Sequence, residues 1–131
     1  IVAKPTSDRL TLYVDGSAES IAQPAGDFNI SSSTGAIGRL NYVAAHSMIG
    51  NIDEVGVWDV ALSADDITAI YNDGVPNDLT NSASYDTDRT GDLVGYWRLE
   101  EGTGTSTSDS SGNDNTGTLL NTPTWDTDVP S

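Results

Sequence analysis

Residues 109–115 read Asp-Ser-Ser-Gly-Asn-Asp-Asn, which sets carboxylate, amide, hydroxyl and backbone oxygens side by side in one short stretch. Hard cations bind such oxygens: Ca2+ gathers about six to eight of them in a flexible shell. Gly112 would permit the tight turn that brings carbonyls inward. The candidate ligands are Asp109, Asn113 and Asp114, with Ca2+ as the cofactor. The loop is not an EF-hand, because Leu120 stands where the twelfth-position Glu would be. The same residue types also make Asx-turns, in which side chains bond their own backbone. Both readings fit this stretch.

Catalysis by paired carboxylates has poorer material. Retaining glycoside hydrolysis needs two carboxyls about 5 Å apart. Asp53-Glu54 and Glu100-Glu101 are the nearest pairs, but neighbours on a strand point to opposite faces. A Ser-His-Asp arrangement would have to use His46, the only histidine, and no nucleophile-elbow sequence accompanies it. No enzyme activity is expected.

Sugar recognition needs aromatic faces with polar groups at their rims. Trp58 and Trp97 fall in strand patterns and read as core. Trp125, Tyr42 and Tyr85 lie in polar or extended contexts and are the candidate ligand-binding residues.

Composition narrows the partners. Twenty acidic residues against five basic ones give a formal net charge of −15. Such a surface repels phosphate backbones, so nucleic acid is not expected as a partner. Nor is membrane insertion, because no apolar run reaches the roughly 18 residues a spanning helix needs. The opening IVAKPTSDR lacks a charged stretch leading into an apolar core, so it does not read as a leader. With no cysteine, disulfides and thiolate chemistry are out. The acidity reads as keeping a secreted protein soluble.

The elements that would hold these groups are mostly strands. Leu10, Leu12 and Val14 alternate with polar residues, and Asp15-Gly16 signals a hairpin turn with the next strand around residues 19–21. Short strands are expected at 28–32 and 36–38, with 40–48 read as a loop. An apolar strand over 52–60 leads into a helix from Ser63 to about Asn72. Ser63 is its N-cap, Asp66 completes a capping box, and Ile67, Ile70 and Tyr71 form one apolar face. Glu54, on a strand covered from both sides, would need a partner such as a Tyr hydroxyl or Arg39. Residues 76–92 are rich in Asn, Asp, Ser and Thr and read as a linker. A further strand starts at Leu93, with Leu93, Gly95, Trp97 and Leu99 on one face, and a short one follows at 118–120.

Three stretches, LYVDG, GNIDEVGVWDVALSADDITAIYN and GYWRLEEGTG with its following DSSGNDNTG, together resemble laminin-G-like (concanavalin A-like) lectin and glucanase domains. The resemblance implies an all-β fold, an antiparallel jelly-roll β-sandwich with one short helix. The first two stretches are similar to the end of such a unit and the third to its beginning. Residues 1–75 therefore read as the C-terminal part of one unit, 76–92 as linker, and 93–131 as the N-terminal part of a second. A piece of a tandem array, strand exchange between copies and a small permuted sandwich all fit that order. Related glucanases carry two Glu on one strand face, which this chain lacks, and some relatives bind Ca2+ through loops like DSSGN. The implied function is a non-catalytic module that recognises glycans or neighbouring protein subunits, with repetition raising avidity. The alternative is a structural subunit, a decoration, fibre or filament protein that joins copies head to tail through exchanged β-strands.

Overall fold

A strand ends at Trp58, a helix starts five residues later at its cap Ser63, and most of the described fold is arranged around that switch. The structure, a computed structural model, describes residues 2–3, 11–19, 35–38 and 47–127. The expected strand at 28–32, along with Arg39, Tyr42 and His46, lies outside them. In chain order the elements are β1 (Val2–Ala3), β2 (Thr11–Val14), β3 (Ser17–Glu19), β4 (Val55–Trp58), α1 (Ala64–Tyr71), β5 (Leu93–Trp97), β6 (Ser106–Thr107) and β7 (Gly117–Thr118). Single 3-10 turns at Asn72–Gly74, Ser82–Ser84 and Thr90–Asp92 punctuate the stretch between α1 and β5.

The jelly-roll sandwich expected from the resemblance is not what these residues form. Among the described residues the strands make a three-stranded sheet, β1-β2-β3, and two separate ribbons, β4-β5 and β6-β7, all antiparallel. Among the described residues no two sheets face each other as sandwich layers. The physical reason is that strands here are two to five residues long and end where the backbone turns left-handed, at Glu54 before β4 and at Leu99 after β5. Along the free edge of β5, backbone groups that a sandwich would pair with a further strand are met by side chains instead.

The β2–β3 hairpin forms as its sequence predicts. Val14 pairs with Ser17 across Asp15-Gly16, whose φ angles of 48° and 73° give the twist a two-residue hairpin needs. Gly16 is required twice over, because a Cβ there would stand 2.8 Å from Cδ1 of Tyr71 at the end of α1. The hairpin therefore docks on the helix, and Tyr13 joins the cluster around Leu62 and Ile67.

The capping box of α1 is complete: Asp66 N donates to Ser63 Oγ at 3.0 Å and Ser63 N to Asp66 Oδ2 at 3.2 Å. Asn72, in the left-handed conformation, ends the helix two residues before Gly74, the expected stop. The apolar face of α1 carries Ile67, fully buried, and Ile70. Burying an isoleucine side chain contributes about 1.5–3 kcal/mol.

The β4–β5 ribbon joins the two blocks of the sequence. Val55 pairs with Trp97, Gly56 with Tyr96 and Val57 with Gly95; a bulge then leaves Val94 unpaired before Trp58 meets Leu93. That extra residue overturns simple alternation along β5. Leu93 and Tyr96 both turn into a core with Leu79, while Val94 is exposed. Each face of the ribbon also has an indole lying over a glycine. A Cβ on Gly56 would sit 2.6 Å from Trp58, and one on Gly95 would sit 2.6 Å from Trp97. Trp58 and Ile70 touch both buried clusters and make them one core.

Residues 76–92, read as linker chemistry, supply Leu79 and Tyr85 to that core. Turn chemistry holds them there: Asp78 Oδ1 accepts from the amide and hydroxyl of Thr80, and Asp88 Oδ1 does the same for Thr90.

Candidate functional site

Asp109 carries the expected metal loop, and its carboxylate is engaged by the backbone. Oδ1 accepts from Tyr96 N and Ser111 N, both at 2.9 Å, and Oδ2 from Asn115 N at 2.9 Å. Burial would raise its pKa, but these donors outweigh burial and hold it at about 2. Asn113 donates its amide to the carbonyls of Leu93 and Val94, and Asn115 donates to Val94 as well. Ser110 N completes the series by donating to Tyr96 O at 2.7 Å. The loop thus works as a side-chain strand along the free edge of β5. Asp114 is exposed at its tip, with φ of 57°. Among the described residues no group of three or more His, Cys, Asp or Glu gathers in a metal-holding geometry.

Glu54 finds the Tyr hydroxyl its position demanded. The fully buried Tyr96 donates to Glu54 Oε2, and Arg98 Nε reaches Glu54 Oε1 at 3.5 Å. Burial first, then the carboxylate, pushes the Tyr96 hydroxyl above the ordinary tyrosine range. Arg98 also pairs with Glu100 at 3.0 Å. Glu101, across the chain, accepts from Thr107 Oγ1 at 3.0 Å and Ser108 N at 2.7 Å through one oxygen.

Asp66 is a hub that the sequence showed only in part. Its carboxylate closes the capping box and also accepts from Thr87 N at 2.9 Å and Arg89 Nε at 3.1 Å. Burial alone would raise its pKa, yet Thr87, Ser63 and Arg89 together bring it down to about 2. The Ser63–Asp66 spacing announces the cap; nothing in the sequence announces partners some twenty residues away.

The aromatic candidates separate. Tyr85, expected at the surface, is only 6 % exposed; it donates to Leu79 O at 2.7 Å and accepts from Trp58 Nε1 at 3.3 Å. The two rings meet edge to face, with centroids 6.5 Å apart. Tyr85 is therefore a core pillar. Trp125 is partly exposed, and its indole N–H donates to Gly104 O at 3.1 Å. Trp97, read as core, lies on the outer face of the ribbon, also partly exposed, with Nε1 donating to Asn115 O at 2.7 Å. Its flanking glycines, Gly95 and Gly117, were the available signal, because a missing Cβ makes room for a flat ring. The β6–β7 hairpin lies between the two anchoring points, with Leu119 N donating to Thr105 O just beyond it.

No family model, no curated protein and no solved structure matches this chain.

Proposed function

We propose that the chain is a non-catalytic recognition module of an extracellular, cell or particle surface, and that its ligand is a glycan. The observation carrying this reading is the pair of partly exposed indoles, Trp97 and Trp125, each fixed by its N–H to a backbone carbonyl on either side of the β6–β7 hairpin. The carbonyls of Gly104 and Asn115 flank β6 and β7. Rings held at fixed orientation give up little entropy on stacking against a sugar face.

Glycan-array binding of the native chain tests this, followed by Trp97→Ala and Trp125→Ala. Binding competed by free sugar and lost in either variant supports the reading. Turnover of a β-glucan, or association that depends on protein concentration alone and survives sugar, overturns it.

A further inference from the structure

A shallow groove of about 240 Å3 lies beside the hairpin, lined by Arg98, Glu100, Glu101, Ser108 and Ser110. Its walls are fixed by bonds that do not use its hydroxyls. Ser108 is held through its N–H on Glu101, and Ser110 through its N–H on Tyr96 O. Glu101 also grips Thr107, and Arg98 is braced between Glu54 and Glu100. The hydroxyls of Ser108 and Ser110 stay available, beside a guanidinium and two carboxylates. Trp125 pins Gly104 within the loop that runs from Glu101 to β6.

We propose that this groove is a subsite for one neutral polyol unit, a single hexose ring or its equivalent; the proposal rests on the glycan reading above. Size and chemistry both select that class. The volume falls below the roughly 300–1,000 Å3 of sites for drug-sized ligands. Vicinal hydroxyls of a sugar both donate and accept, and the groove supplies both functions within one ring's reach. An acidic sugar is a poor fit, because Arg98 is already shared by two carboxylates and Glu101 adds a third. The protein's net charge of −15 opposes an anion as well.

The test is a backbone amide NMR titration of the full chain with neutral methyl glycosides of glucose, galactose, mannose and N-acetylglucosamine, repeated with glucuronate. Ser108→Ala/Ser110→Ala is the matched variant, and it keeps both backbone bonds that shape the groove. The expected result is a set of shifts centred on Ser108, Ser110 and Arg98. The double variant should bind about tenfold more weakly at unchanged melting temperature, and glucuronate more weakly than the neutral sugars. Sugar-induced shifts confined to the Trp97 and Trp125 indoles, with the double variant binding as the parent does, overturn the groove and leave the glycan reading standing. Tighter binding of glucuronate overturns the neutral class. No shift with any of these sugars overturns both the groove and the glycan reading.

Discussion

Single carboxylates in this chain act as backbone ligands, and that sets their pH behaviour. Asp66 and Asp109 both hold pKa values near 2 when folded, against about 3.9 for an unperturbed Asp. The unfolded chain therefore binds more protons between those values, and stability rises with pH across that window. The stabilisation is complete above about pH 5 and is lost as pH falls through about 2. Melting temperature followed from pH 2 to pH 6 should climb and then level, and Asp66→Asn should flatten the rise. Asp66→Ala removes a buried acceptor from Ser63, Thr87 and Arg89 together. It should cost about 3 kcal/mol, read from the urea midpoint. Because Asp109 gives its oxygens to three backbone amides, adding Ca2+ and then a chelator should leave the melting temperature where it was.

At the scale of elements, the β4–β5 ribbon depends on two glycines for opposite reasons. Gly56 faces the core, where a methyl group would meet Trp58 and also Leu79 Cδ1 at 2.8 Å. At Gly95, on the opposite face, the atoms nearest to an added methyl group all belong to the partly exposed Trp97 ring, the closest at 2.6 Å. Gly56→Ala should therefore cost about 1–3 kcal/mol through overpacking. Gly95→Ala should cost less and shift tryptophan emission to the red as the Trp97 ring lifts off. Urea unfolding and fluorescence of the two variants check the order. Sequence legibility has a limit at this scale. The hairpin at Asp15-Gly16 and the cap at Ser63 were readable because their chemistry spans two or three residues. The bulge at Val94 was not, since only the partner strand reveals it.

On the scale of the whole molecule, the two blocks that read as an end and a beginning are held in one core. Trp58 from the first block, Leu93 and Tyr96 from the second, and Leu79 and Tyr85 from between them pack or bond together. Heating should give one transition, seen alike by tryptophan fluorescence and far-ultraviolet circular dichroism. Two separated transitions would mean that the blocks fold independently. The reading of 76–92 as a linker came from its composition, which is right for turns. Leu79 and Tyr85 were hidden in it because two isolated apolar residues carry no period. The jelly roll failed for a related reason: the motifs pointed to β2, β4 and β5, while 36–38, expected as a strand, is not one, and the layering depends on which groups satisfy the strand edges. Here Asn113, Asn115 and Asp109 do that for β5.

That last arrangement makes the loop depend on two side-chain amides staying amides. Asparagine side chains hydrolyse slowly to aspartate as a protein ages, and at Asn113 or Asn115 the change would replace an N–H donor with a negative oxygen. The new oxygen would face the carbonyls of Leu93 and Val94, so attraction would become repulsion and the loop would peel from β5. The exposed carbonyls would then be an adhesive edge. Stored material should therefore accumulate aggregates in step with the deamidated fraction, and Asn113→Asp should show the end state at once.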